Sequence, residues 1–441
     1  MNTMNSIVQL ETYANELSCA ARSLVAHCQN ANISSTGPQL RIPEDAPRSI
    51  HQDRQKILGS LAKLQVLLRG PDDFLQQMAL QIQMLASVQW LSSLQVLVCL
   101  PLAGSLALKD LAQLAGVPET QLSRVIRLTA SGGFLQEPQP GQIRHTPLST
   151  VFVSQRRFRD ATMFLAECCT PSALRMASTM HPHVGSSAEV PCASAYSLAF
   201  STSVPFLKAC SSTPKLQRQW SAFLQYTGDF EEKVTEVLSR LDWAHLGDCC
   251  IVESGAQSAE TAKVLSELYP GLQIIVQTET RSSDSAHPPA SLEAYNPRIT
   301  LQTRALGMPQ PVLDAAAYIL RLPPSSWESG RSLVLMELQS YCTILAANRR
   351  AMLILTARML PQPGTVDREI ETIARMRDMI LFQLGAERDP EVSEVVDLVG
   401  SVGDAQGRLV IVDRLRARNN LAVALAVKYQ GWSELDGVLA A

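Results

Sequence analysis

Residues 249–279, CCIVESGAQSAETAKVLSELYPGLQIIVQTE, decide the fold. They read as strand, turn, helix and strand, the opening of a doubly wound nucleotide-binding sheet. A loop that admits a cofactor at such a turn needs several glycines, so that the backbone can bend tightly and come close to the ligand. Here Gly255 stands alone, followed by Ala256, Gln257, Ser258 and Ala259. The stretch keeps the layout of a nucleotide site and lacks its loop chemistry.

Downstream, strand-like runs alternate with helical ones: ITLQ, AAAYILR, AMLILTA, RLVIVDR and LAVALAVKY follow the first two strands. Such alternation predicts a mainly parallel, doubly wound sheet, and the last two runs are compatible with an antiparallel hairpin. Upstream, residues 151–245 are mostly helical in pattern, with a Ser/Pro/Gly-rich loop near 181–195 and a helix from Gln217 to Trp243 that leads into the sheet.

Between Leu106 and Thr150 a different unit emerges. LKDLAQLAG puts Leu108, Leu111, Ala112 and Ala115 on one face, Gly116-Val117-Pro118 turns, and ETQLSRVIRLTASGG buries Leu122, Val125 and Ile126. Two short helices about a glycine turn make a helix-turn-helix. FLQEPQPGQIRHTPLS then reads as a hairpin with Pro140-Gly141 at its tip, which completes a winged helix. Its outward polar residues are the candidate DNA contacts: Lys109, Thr120, Gln121, Arg124 and Arg127, with Arg144 on the wing. Arginine and glutamine suit guanine and adenine edges. Residues 104–150 nevertheless carry four cations against three anions, a net of +1. Phosphate neutralisation supplies most nonspecific affinity, so a packing or dimerisation module is favoured over independent DNA binding.

Nearer the amino terminus, Ile7, Leu10, Tyr13, Leu17, Ala20, Ala21 and Leu24 form a helical stripe, and residues 30–47 read as linker. Gly70-Pro71-Asp72-Asp73 opens a long apolar helix from about Phe74 to Leu97, whose lack of a polar face predicts burial between domains or at a dimer interface. The expected order is therefore a helical segment with linker (1–70), a winged helix-turn-helix (71–150), a helical connector (151–245) and a Rossmann-like domain (246–441).

Composition narrows the function classes. The chain has 441 residues, 46% hydrophobic and 18% charged, with a net charge of -3. It exerts no broad pull on nucleic acid or anionic membranes. The start MNTMNSIVQLETYANEL lacks a charged segment followed by an apolar core, so no secretory signal is expected. No window reaches the ~18 uninterrupted apolar residues of a membrane span. Ten cysteines are scattered without zinc-ligand spacing, and His181 and His183 sit in a loop without partners, so no metal site is expected.

A winged helix, a connector and a terminal Rossmann-like sheet resemble, over roughly residues 70–441, the fungal and plant O-methyltransferases of small-molecule metabolism. The fold class implied is α/β, an N-terminal helical and winged-helix region followed by a degenerate Rossmann-like class I methyltransferase domain. In that family the winged helix usually dimerises, and the sheet binds S-adenosylmethionine. Glu253 matches the family's acid at the loop. The acid closing the second strand falls at Thr278, with Glu279 one place late, and the acid after the third strand falls near Thr303 or Arg304. Where the family has its catalytic His-Asp-Trp, this chain has Ser325, Ser326 and Trp327. Serine does not replace histidine as a general base near neutral pH. The departures together imply a pseudo-methyltransferase without cofactor, with Glu253 and Gly255 as relics.

A narrower resemblance accounts for those departures. LPLAGSLALKDLAQLAGVPE, GFLQEPQPGQIRHT, GAQS, VQTE and QPVLDAAAYIL resemble the co-activator family that accompanies the zinc-cluster regulator in aflatoxin and sterigmatocystin gene clusters and in other fungal aromatic polyketide clusters. That resemblance implies a nuclear protein with an IclR-type winged helix. Its partners would be the zinc-cluster transcription factor, promoter DNA mainly through that factor, and a second copy of itself. The alternative is a methyltransferase-like enzyme that no longer methylates, a pericyclase or cyclase. For such an enzyme Asp314, Arg321, Glu337 and Arg358 could line a residual pocket, although surface and helix-end charges are the favoured reading for all four.

Overall fold

The amino-terminal stripe finds its partner in the next stretch of chain. A computed structural model describes residues 5–33, 40, 42–43, 46–180, 194–227, 230–256, 258–278, 296–322, 330–386, 388–417 and 422–432. In it the helix Ser6–Asn30 packs in a hairpin against a second helix, Arg48–Leu68. Ala20, Leu24 and Cys28 are buried on the first helix and Ile50 on the second, while Leu17 is half-buried and Ile7 is exposed. Its sequence, RSIHQDRQKILGSLAKLQVLL, mixes polar and apolar positions and carries no clean helical stripe.

The hairpin also buries a carboxylate. Asp53 accepts from Ser23 Oγ at 2.6 Å and meets His27 Nδ1 at 2.7 Å. Burial pushes the Asp53 carboxyl up, but the Ser23 and His27 hydrogen bonds, with the charges of His27 and Lys56, outweigh it and hold the pKa below its ordinary value. A group depressed in the folded state contributes stability that is present above its unfolded pKa, about 3.9, and is lost as pH falls through the folded value. Asp53→Ala is expected to weaken the hairpin by about 1–3 kcal/mol, since Ser23 and His27 lose their shared acceptor. Hydrogen exchange of the amides in the two helices measures this; protection equal to wild type would refute it.

The helix Pro71–Ser93 begins where Asp73 accepts the Gly70 N–H at 3.0 Å, and its second half, with Val88 and Leu91, is buried. Phe74, Leu75, Met78 and Ile82 are all exposed in the single chain. The helix does not run to Leu97: Gln95 adopts φ 58 and separates a short turn, Val96–Cys99.

Two helices and three short strands follow over residues 106–145. Strand β1, Leu106–Ala107, precedes the helices Leu108–Ala115 and Glu119–Ser131; β2, Leu135–Gln139, and β3, Gln142–His145, form the wing. The three strands pair antiparallel in the order β1-β3-β2. Gly116 ends the first helix at φ 65, in the left-handed region where glycine carries no Cβ penalty. Leu91, Leu97, Leu111, Leu122, Ile126, Phe134 and Ile143 share the core.

The contacts divide the chain into one unit of residues 1–174 with 208–226 and another of residues 175–207 with 227–441. Among its described residues the second holds seven strands: β4 (Cys249–Ser254), β5 (Leu272–Thr278), β6 (Ile299–Thr303), β7 (Ala317–Arg321), β8 (Met352–Thr356), β9 (Gly407–Arg416) and β10 (Ala422–Gly431). Their order is β6-β5-β4-β7-β8-β10-β9. The first five are parallel; β10 runs antiparallel to both β8 and β9, so the last two form the hairpin. One face packs Tyr318, Leu338, Tyr341 and Leu425; the other packs Ile251, Leu265, Ile274 and Ile319. Burial on both faces is why AYILR reads as a continuous apolar run rather than an alternating one.

Candidate functional site

Strand order reverses between β4 and β7, and in open α/β sheets the ligand crevice lies there, beyond the carboxyl ends of the strands. At the ends of these two strands the chain pairs its own charged side chains. Glu253, on β4, is 1% exposed, and Arg321, which ends β7, is 4% exposed. Arg321 Nε donates to Glu253 Oε1 at 2.5 Å, and its Nη2 donates to Thr261 Oγ1 at 2.7 Å. Thr261 lies in the first turn of the helix Glu260–Leu268 that follows the loop, so one guanidinium ties β4 to that helix. Above it the chain turns at Gly255 with φ 73, and a Cβ there would collide with the Arg321 carbonyl.

A second buried cluster joins the ends of β4 and β5. Ser254 Oγ lies 2.7 Å from Gln277 Oε1 and 2.8 Å from the Tyr341 hydroxyl. Gln277 Nε2 donates to Gln310 Oε1 at 2.7 Å, and Gln310 Nε2 reaches the Tyr341 oxygen at 3.1 Å. Burial raises the Tyr341 pKa, so the phenol stays protonated and serves as a packing group. Beyond β6, Arg304 donates to both carboxylate oxygens of Glu337, at 2.8 and 2.7 Å, and also to the Met308 carbonyl. Where the resemblance calls for an acid, the chain has a cation already neutralised from the helix Arg331–Ala347. The polar groups here satisfy one another, an arrangement suited to rigidity.

Two of the four residual-pocket candidates therefore need correction. Arg321 and Glu337 are not surface or helix-end charges; they are buried and paired, because each meets an opposite charge brought in by sheet topology. Asp314 is exposed and Arg358 half-buried. The sequence carries a signal for Glu337: it lies within the stripe Val334, Leu338, Tyr341 and Leu345, the buried face of its helix. The glutamine cluster left no comparable mark. Thr278 and Thr303 end β5 and β6. Gln257, Glu279, Ser325, Ser326, Trp327, His181 and His183 lie outside the described residues.

On the winged helix, Lys109, Thr120, Gln121, Arg124 and Arg127 are exposed, the last four on the helix Glu119–Ser131. Arg127 Nε stands 3.9 Å from Glu137, and Arg144 is half-buried, its guanidinium held by Gln136 at 3.0 and 2.9 Å. The wing thus consumes one of the six candidates internally. Burial pushes the Cys168 thiol up to about 12, which suits an inert core thiol. Among the described residues no group of side chains could hold a metal ion, and no helix is long and apolar enough to cross a membrane.

A winged helix and a seven-stranded sheet of this order define a methyltransferase-like scaffold. It is shared with the solved structure of OxaC, which matches 97% of this chain and 100% of its own at a TM-score of 0.61 and 15% identity. A structure described as a pericyclic reaction enzyme matches 94% of this chain and 100% of its own at a TM-score of 0.62 and 19% identity. At these identities the likeness is one of fold. Sequence similarity is far more specific. The chain is 54% identical over 382 residues to the geodin cluster transcriptional coactivator gedD of Aspergillus terreus, covering 83% of this chain and 97% of that protein. It is 44% identical to the trypacidin cluster transcriptional coactivator tpcD of Aspergillus fumigatus, covering 98% and 99%. Residues 7–69, which span the helical hairpin, match the family model of the tpcD N-terminal domain. The chain belongs to this family of secondary-metabolite cluster transcriptional coactivators.

Proposed function

We propose that this protein is a non-enzymatic coactivator of a fungal secondary-metabolite gene cluster, one making an aromatic polyketide, and that it acts in the nucleus with a zinc-cluster transcription factor. The observation that carries the reading is near full-length similarity to proteins named as cluster coactivators. The Glu253–Arg321 bridge across the cofactor crevice supports its non-enzymatic part, since the relic acid is already neutralised from within. A strain lacking the gene tests the proposal. Transcripts of the whole cluster are expected to fall together; unchanged transcripts with one accumulated intermediate would instead identify a pathway enzyme of the pericyclase or cyclase kind.

Promoter DNA is reached mainly through the zinc-cluster partner. With a net of +1 over residues 104–150, the exposed row Lys109, Thr120, Gln121, Arg124 and Arg127 offers little phosphate neutralisation. In gel shifts the isolated protein is expected to bind cluster promoters weakly, without sequence preference, and to release them as salt rises. A tight, site-specific shift abolished by Arg124→Ala would show that the helix reads bases by itself. The exposed Phe74, Leu75, Met78 and Ile82 supply an apolar surface for a homodimer.

A further inference from the structure

We propose that the outer edge of β9 is a docking groove for an extended, acidic segment of a protein partner, which adds to the sheet as a further strand. Strand β9 is ten residues long and stands last in the sheet order. Its first residues are covered: Leu409 N–H donates to the Val402 carbonyl at 2.9 Å, and Gly403 bridges Arg408. From Val410 onward no described strand pairs with that edge. An unpaired edge offers a row of backbone donors and acceptors, and a peptide that joins it gains main-chain hydrogen bonds while neighbouring pockets select its side chains.

Beside this edge lies a groove of about 880 Å³ between β9 and the helix Val392–Gly400. Val396, Val410, Ile411 and Val412 give it an apolar floor, and Val412 is 46% exposed. Val412 is also the residue that the β9–β10 register skips, between Ile411 opposite Val427 and Asp413 opposite Ala426, so the bulge turns it outward. Arginines and a bulge can serve merely to protect an edge from aggregation. An edge protected in that way has no use for a hollow lined with branched aliphatic side chains.

Charge identifies the occupant. Arg408, Arg414 and Arg416 line the groove, and the last two also line an adjoining hollow beside Pro361 and Gln362. Against them stand Asp397 and Asp413, and the Asp413 carboxylate accepts the Arg414 backbone N–H at 2.7 Å. The lining thus carries three arginines against two aspartates, a net of +1 set beside an apolar hollow, on a chain whose net charge is -3. An extended segment carrying both acidic and aliphatic residues meets the arginines with the first kind and the aliphatic lining with the second, which interleave along β9: Arg408 stands opposite Gln430, Val410 opposite Lys428 and Arg414 opposite Leu425.

The test uses the full chain and two fluorescein-labelled octapeptides, one alternating Glu and Val and one alternating Lys and Val, followed by fluorescence anisotropy. The acidic peptide is expected to bind at least about tenfold more tightly, with the preference inverted in Arg414→Glu/Arg416→Glu. Val412→Glu, at an exposed position, is expected to weaken the acidic peptide about tenfold while the circular dichroism melt stays in place. Equal binding of the two peptides, or acidic binding untouched by the charge reversal, would overturn the proposal. So would displacement of the peptide by random duplex DNA of equal charge, which marks a general polyanion site. A wild-type dimer in sedimentation that Val412→Glu converts to monomer would assign the edge to a second copy instead.

Discussion

Arg321→Met, with Glu253 left in place, is expected to lower the stability of the sheet unit by about 3–5 kcal/mol, the usual consequence of leaving one member of a buried ion pair uncompensated. Glu253 is 1% exposed and has no water to turn to, while Thr261 loses the guanidinium that reached its hydroxyl. The double variant Glu253→Gln/Arg321→Met is expected to recover most of the loss, because exchanging a buried ion pair for neutral groups of similar size is often close to neutral. Hydrogen exchange of the β4 and β7 amides reads both variants. Arg350→Met, at an exposed arginine, serves as the control and should stay within about 0.5 kcal/mol of wild type. If Arg321→Met proves as protected as wild type, the pair is not what holds the crevice together. The folded double variant also carries the functional consequence. On the non-enzymatic reading proposed above, cluster transcripts should be unchanged in it.

Gly255→Ala is the second large effect expected. The residue has φ 73, and a non-glycine residue in that region costs about 1–3 kcal/mol. A Cβ would in addition meet the Arg321 carbonyl, which is backbone and cannot swing away. Gly364, with φ 74 and no atom within 4 Å of the same built Cβ, separates the two contributions. Gly364→Ala should show the conformational cost alone, and Gly255→Ala should exceed it, both measured by thermal unfolding. Equal shifts would mean that the loop can retreat from β7. The lone glycine of the degenerate loop would then be kept for its turn and not for its close approach.

Glu253 also shows how local reading goes astray. In CCIVESG it looks like a stranded cofactor acid, dispensable once the glycines are gone. Arg321, which neutralises it, lies 68 residues further along the chain. Arg304 and Glu337 are 33 residues apart, and neither one alone announces the other. The helix Arg48–Leu68 escaped for a different reason: its hairpin buries a carboxylate and a serine together with a few aliphatic groups, so hydrophobic spacing alone understates it.

Features that depend on neighbours in the chain were therefore legible directly. Continuous apolar runs marked the strands because both faces of the sheet are covered; Gly116 and Pro140-Gly141 marked turns because few residues accept those backbone angles; the residues after Gly255, with Thr278 and Arg304, marked departures from the methyltransferase pattern that the chain resembles. Which strands lie side by side follows from no local pattern. The adjacency of β4 and β7 brings Arg321 to Glu253, and the position of β9 at the end of the sheet leaves its edge from Val410 onward without a partner strand among the described residues. Periodicity is a property of residues three or four places apart, whereas a buried charge is settled by whichever group the fold delivers within about 3 Å, from any distance along the chain.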